Sequence, residues 1–342
     1  MRTLNGFTRG IDLGGWLSQC DHTEKTYAGF IVEDDFRRIR SWGLDHVRLP
    51  VDIELLETRD GQRLPSGFDH LRRAVGWARR YDLNLVLDLH KTYGFSFDAG
   101  EREDGFFAND ELQERFYSLW EELAACFGQD PDHVAFELLN EVTDPEYGPK
   151  WNAIAARCIE RVRRIAPKTW ILIGGYWNNS IDALEDLDPP ADDRIVYNFH
   201  CYEPVIFTHQ GAYWIEGMDH GFRIPITATY RQMAEDTRAQ VGREPTGFAG
   251  FDPDDSLSAA YFERFMEKAV RVAEERNVPL YCGEYGVINL ASPEDTVAWY
   301  RMIHRAFEKY GIGRAAWSYR LMDFGLTDEH AAPVFDQLIA LL

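Results

Sequence analysis

The chain has 342 residues, 45% apolar, 27% charged and 14% aromatic, with 36 Lys and Arg against 57 Asp and Glu for a net charge of −21. That length exceeds an ordinary domain but suits an α/β barrel, and the apolar fraction supports a large core, which excludes disordered, collagen-like and coiled-coil chains. The negative charge repels phosphate backbones and anionic headgroups, so neither nucleic acid nor a membrane is an expected partner. Residues Met1 to Gly10 carry no apolar signal core and no run of 18 apolar residues follows, which reads as a cytoplasmic chain, or a secreted one whose leader has been removed. Cys20, Cys126, Cys158, Cys201 and Cys282 are odd in number and widely spaced, with no CxxC pair. They read as reduced thiols rather than a disulfide framework or a zinc ribbon.

In chain order, short apolar runs alternate with amphipathic stretches. The run Gly10–Trp16 is followed by a helix over Glu33–Trp42 and a run Asp45–Pro50. A helix then opens at Ser66, with Phe68, Leu71, Val75 and Ala78 on one face and Arg72, Arg73, Arg79 and Arg80 on the other. The run Asn84–His90, a helix Asp110–Phe127, the run Val134–Glu141 and a helix Pro149–Ile165 come next. Thr169–Tyr176, a short segment near Ser180–Leu184 and Arg194–Tyr202 lead into a long connection, in which Thr227–Gly242 reads as an extra helix. The chain closes with a helix Ser256–Arg276, the run Val278–Tyr285, a helix Ser292–Tyr310, the run Gly313–Tyr319 and a last helix Pro333–Leu342. Runs such as LNLVLDL are apolar throughout, as strands covered on both faces are. Eight such runs with intervening helices, and no linker, predict one (β/α)₈ TIM barrel over residues 1–342 with a long insertion after strand six. An open doubly wound sheet competes with it, but calls for a glycine-rich first turn, and neither GxGxxG nor GxxxxGK[ST] occurs.

Reactive groups of such a barrel sit at the carboxyl ends of its strands. The predicted strands end in Arg48, in Asp88 and His90, in Asn140 and Glu141, in His200 and Tyr202, in Glu284, and in Trp317. Glu141 and Glu284 fall on strands four and seven, which face each other across the axis. A pair of carboxylates flanking a glycosidic bond, one protonating the leaving oxygen and the other attacking carbon or activating water, is what glycoside hydrolysis requires. Arg48 and Tyr202 are suited to keep one carboxylate ionised while burial raises the other. His90 and His200 beside these glutamates are also the residue types of a zinc or manganese site, although no HExxH spacing is present.

The segments GIDLGGWL at 10–17, HVRLP at 46–50, LVLDLH at 85–90, LLNE at 138–141, HCYEP at 200–204, FTHQGAYW at 207–214, CGEYG at 282–286 and AAWSYR at 315–320 span the chain. In this order they resemble glycoside hydrolase family five, a family of retaining (β/α)₈ hydrolases. The resemblance implies Glu141 as acid/base and Glu284 as nucleophile. It further implies that Asn140 and His90 bond hydroxyls of the sugar at subsite −1, that Arg48 and Tyr202 orient Glu284, that His200 lines the cleft and that Trp317 forms its floor. No metal or cofactor is implied.

Two loops carry specificity. Lys91–Ala108 holds Tyr93, Phe95, Phe97, Phe106 and Phe107 beside the charged run Glu101–Asp104, and Glu203–Asp255 holds Phe207, Tyr213, Trp214, Phe222, Tyr230, Phe248 and Phe251. Such aromatic density argues against disorder. FTHQGAYW resembles a segment of cellulase-like members, which marks Trp214, Gln210 and His209 as sugar contacts. Asn178-Asn179-Ser180 is a glycosylation sequon that a cytoplasmic protein would not use. The expected activity is retaining hydrolysis of β-glucosidic bonds in short oligosaccharides or glycosides, exo-acting because the long insertion is expected to wall off one end of the cleft. The rivals are an endo-β-1,4-glucanase or mannanase, a silent carbohydrate-binding barrel, and a metal-dependent hydrolase.

Overall fold

Eight parallel strands pair in sequence order and close on themselves: β1 Arg9–Asp12, β2 His46–Asp52, β3 Asn84–Lys91, β4 Val134–Glu137, β5 Ile171–Ile173, β6 Ile195–Cys201, β7 Leu280–Tyr285 and β8 Gly313–Ala316. The computed structural model describes residues 1–98 and 105–342. Four strands are shorter than their apolar runs suggested. Leu13–Trp16, Leu138–Glu141, Gly174–Tyr176 and Trp317–Tyr319 lie past the last ladder pairs, where the chain leaves the barrel wall to build its mouth.

The alternation of the strands separates two environments. On β3, Leu85, Leu87 and Leu89 pack outward on the helices, while Val86 joins Leu4, Phe7, Ala135, Leu172, Val196, Tyr281 and Ala315 inside the barrel. Asp88 and His90 continue the inward phase of Val86. The same step of two carries Ala135 to Glu137 on β4, and Val196 to Asn198 and His200 on β6. An apolar plug therefore fills the lower barrel and polar groups begin directly above it.

The helices follow local chemistry. Asp110–Phe127 starts where the Asn109 side chain accepts from the backbone N–H groups of Glu111 and Leu112, and Pro293–Tyr310 where Ser292 accepts from Asp295 N–H. The helix expected to open at Ser66 instead begins at Pro65 and runs to Arg80, because proline at the first position surrenders an N–H that has no helical partner. Gly148–Arg163 and Ala259–Arg276 differ from expectation by two or three residues at one end or the other. The insertion after β6 contains a helix Tyr230–Gln240, and Tyr230, Phe248, Phe251 and Tyr261 form an aromatic cluster that pins it to the barrel. In the loop after β3, Phe95, Phe106 and Phe107 are buried, whereas Glu101–Asp104 lie outside the described residues. All five cysteines are unpaired, and among the described residues no helix is long and apolar enough to cross a membrane.

Candidate active site

Arg48 is the hub of the barrel mouth. It is fully buried on β2, and its Nη1 donates to Asp12 Oδ1 at 3.1 Å and to Glu284 Oε1 at 2.8 Å. Nε and Nη2 make a two-pronged contact with Glu137 at 2.7 and 2.9 Å, and Nη2 also donates to Asn140 Oδ1 at 2.8 Å and lies 3.0 Å from Asp88 Oδ2. One guanidinium cannot offset four buried carboxylates, so protonation settles the difference. Burial pushes Asp12 well above the ordinary carboxyl range, Asp88 up to about 7 and Glu137 upward, each against the pull of Arg48.

Glu284 stands near the end of β7, where the register between β6 and β7 slips: Phe199 pairs with Cys282, but His200 pairs with Glu284. The skipped residue is Gly283, whose N–H donates to Asn198 Oδ1 at 2.9 Å. A Cβ there would lie 2.7 Å from Asn198 Oδ1 and 3.0 Å from His200 Nε2, so only glycine lets the strand pass. Tyr202 donates its hydroxyl to Glu284 Oε2 at 2.8 Å. Glu284 thus accepts from a cation on one oxygen and from a phenol on the other.

Glu141 has different company. It lies four residues beyond the end of β4 with φ of +27°, in a region that residues with a side chain rarely occupy. Its Oε1 is 2.7 Å from His200 Nδ1, and its Oε2 accepts from Asn178 Nδ2 at 2.8 Å. Burial pushes its carboxyl up to about 7, with Asn178 and Arg48 pulling the other way. Burial likewise drives His200 down to about 4 and His90 to about 3, so both imidazoles are neutral at pH 7. Oxygen atoms of Glu141 and Glu284 and a His200 nitrogen all lie within 4.8 Å of one another.

The remaining expected residues divide. Asn140 is buried with its Nδ2 unpartnered, a donor left open beside Glu284's guanidinium partner. His90 Nδ1 is 2.7 Å from Asp88 Oδ2, and its ring stacks on Trp317 at 5.8 Å and 7°. Trp317 is 6% exposed and rests against the turn after β1, where a Cβ on Gly14 would come within 2.7 Å of the indole. Trp214 is 38% exposed and contacts His209 and Phe324, which in turn contact Tyr202. Gln210 does not reach the mouth: it is buried, with Nε2 donating to Phe207 O and Oε1 accepting from Ile224 N–H. Its amide braces the insertion. Sequence reasoning missed Asp12, Glu137, Asn178, Asn179 and Asn198, and also Gln19, whose Oε1 lies 3.3 Å from His90 Nε2; for Glu137 and Asn198 the signal was the step of two from the inward Ala135 and Val196.

Two triads among the described residues have ligand atoms close enough for a metal ion: Glu141, His200 and Glu284, and His22, Asp52 and Glu54. The first fits poorly. All four carboxylate oxygens already face a donor, and the Arg48 charge 2.8 Å from Glu284 repels a cation. In the second, Lys91 Nζ lies 3.7 Å from Asp52 and 3.5 Å from Glu54 and supplies the countercharge.

A family model described as cellulase, glycosyl hydrolase family 5, matches residues 12–322. Cellodextrinase A of Ruminococcus flavefaciens is 46% identical over 314 residues, covering 92% of this chain and 86% of that protein. Endoglucanase C of Acetivibrio thermocellus is 35% identical over 340 residues, 98% of each chain. Among solved structures, endoglucanase Cel5A of Thermotoga maritima superposes with a TM-score of 0.77 at 25% identity, covering 98% of this chain and 97% of that one.

Proposed function

The chain belongs to glycosyl hydrolase family 5 and is an O-glycosyl hydrolase, and from that premise we propose that it cleaves β-glucosidic bonds of short cello-oligosaccharides with retention of configuration. The observation that carries the proposal is the contrast between two neighbouring glutamates. Their oxygens come within 4.8 Å of each other, which supports the close spacing of about 5–5.5 Å between carboxyl groups in retaining enzymes over the roughly 6.5–9.5 Å of inverting ones.

In the first step Glu284 attacks the anomeric carbon as the bond to the leaving sugar breaks, and Glu141 gives its proton to the departing oxygen. A glycosyl ester on Glu284 results. In the second step Glu141 takes a proton from water, the water oxygen attacks the same carbon and the Glu284 carboxylate is released. Arg48 and Tyr202 hold Glu284 in place, each donating to one of its two oxygens. Burial, which pushes Glu141 up to about 7, keeps a proton available near neutrality. The open Nδ2 of Asn140 suits the sugar 2-hydroxyl, and Trp317 offers an aromatic face to the pyranose C–H groups. His200 lines the cleft beside Glu141.

A short substrate is supported by the cellodextrinase relative, 86% of which the chain covers, and by the insertion over 203–255, which we propose forms a wall at one end of the cleft with Trp214 on its inner face. On that reading cellotriose and cellotetraose shorten by one glucose at a time. The endoglucanase relatives support a second reading, an open cleft acting within the chain. Product lengths over time from cellotetraose and cellohexaose decide: early cellobiose or cellotriose from the middle of the hexaose overturns the exo mode. An α-anomer as the first product overturns retention.

A further inference from the structure

The sequon Asn178-Asn179-Ser180 lies at the catalytic mouth, where one of its amides reaches Glu141 and the other reaches His200, the residue facing the second oxygen of that glutamate. In the short helical turn Tyr176–Asn179, Trp177, Asn178 and Asn179 all have positive φ, 50°, 57° and 56°. Asparagine tolerates this left-handed conformation better than other residues with a side chain. Backbone bonds from Trp177 N–H to Thr143 O at 3.1 Å and from Asn178 N–H to Val142 O at 3.0 Å clamp the turn to the segment just after Glu141. The clamp aims Asn178 Nδ2 at Glu141 Oε2, 2.8 Å away. The next residue, buried Asn179, directs its Nδ2 at His200 Nε2 at 3.3 Å. A ring nitrogen that accepts carries no proton, so the His200 proton sits on Nδ1, pointing at Glu141 Oε1 2.7 Å away.

We propose that Asn178 and Asn179 are positioning residues for the acid/base: Asn178 holds one oxygen of Glu141 directly, and Asn179 holds the other by fixing the tautomer of His200. The inference rests on the assignment of Glu141 as acid/base. Its chemical consequence is specific. Both donors favour the ionised carboxyl and so oppose burial, which sets the proton's release where the second step needs it. The charged groups facing Glu141 are Glu284 on β7, Arg48 on β2, Glu137 and Asp88 on β4 and β3, and Asp98 in the loop after β3, with neutral His200 on β6. None of them is altered by a change at 178.

The test uses Asn178→Gly and Asn178→Asp, since both residue types accept the left-handed turn, and cellotetraose beside 2,4-dinitrophenyl β-cellobioside as substrates. Removing the amide moves the alkaline limb of kcat/KM up by about one pH unit. On cellotetraose kcat falls about tenfold at pH 7 with KM little changed, while formation of the glycosyl ester from the activated aryl substrate, which needs no acid, holds its rate. Asn178→Asp moves the limb further, because a second carboxylate adds like-charge repulsion. Asn179→Gly, which keeps the left-handed turn, shifts it in the same direction, and that shift vanishes in a His200→Ala background. A limb that stays in place in folded Asn178→Gly and Asn178→Asp overturns the proposal. Glu141→Ala, measured in parallel, separates the two levels: full activity on cellotetraose overturns the acid/base assignment itself, whereas its loss beside an unmoved limb in the Asn178 variants refutes only the positioning role.

Discussion

Glu284 and Glu141 are the same residue type a few ångströms apart, and their surroundings are built by opposite means. Glu284 belongs to strand β7 and answers to strands: Arg48 on β2 donates to one oxygen, Tyr202 at the end of β6 to the other, and the same guanidinium gathers Asp12, Asp88 and Glu137. Glu141 belongs to a loop and answers to one loop and one strand, with Asn178 from the turn after β5 on one oxygen and neutral His200 of β6 on the other. A fixed cation beside a carboxyl favours the anion in any dielectric, whereas neutral donors only soften the effect of burial. The rigid strand network suits a group that must attack from one fixed place. The loop suits one that must exchange a proton twice per turnover.

The comparison breaks most visibly at the nucleophile. Glu284→Ala should lose both steps and lower kcat on every substrate by on the order of 10⁵-fold, and a trace of retained product from cellotetraose would show that another group attacks. Glu141→Ala should cost about 10²–10⁴-fold with sugar leaving groups but spare the first step with dinitrophenyl glycosides, and added azide should restore turnover as a β-glycosyl azide. An α-azide in that assay would mean that Glu284 forms no covalent intermediate.

Arg48→Met tests the strand side of the contrast. It strands a set of buried carboxyls without their countercharge and should lower stability by about 3–5 kcal/mol, read as a fall in the denaturant midpoint at constant slope. An unchanged midpoint would mean that the carboxyls are all neutral without it. The loop side is sharpened by pH. Free enzyme competent for the first step carries a proton on Glu141, so kcat/KM should fall above about pH 7, the value to which burial pushes that carboxyl, by tenfold per unit as the proton is lost. A profile flat to pH 9 on cellotetraose would break the link between burial and acid function. The smallest effect is expected at the rim. Trp214→Ala should raise KM a few-fold and leave kcat nearly unchanged if the exposed indole binds ground and transition states alike; a larger fall in kcat would place the ring at the reacting sugar.

The sequence by itself determined the barrel, because eight apolar runs covered on both faces and separated by capped amphipathic helices have few other ways to bury their surface. It also named Arg48, His90, Asn140, Glu141, His200, Tyr202, Glu284 and Trp317, since polar residues that close apolar strands converge on one mouth, and the structure brings them together there. Where local chemistry dominates, boundaries followed: Asn109 and Ser292 cap the helices they precede. What escaped was whatever depends on which strand faces which. Glu137 and Asn198 look like interruptions in apolar runs until closure of the barrel turns their inward phase toward Arg48 and Gly283. Gln210 sits in a motif read as sugar-binding, yet the path of the insertion turns its amide onto the backbone. Asn178 and Asn179 read as a glycosylation sequon, and only the clamp between the loops after β4 and β5, two segments about 35 residues apart in sequence, brings them to Glu141 and His200. Periodicity and caps are short-range properties that the chain carries along its length. A hydrogen bond between distant loops is decided by barrel closure and register, which no local pattern encodes.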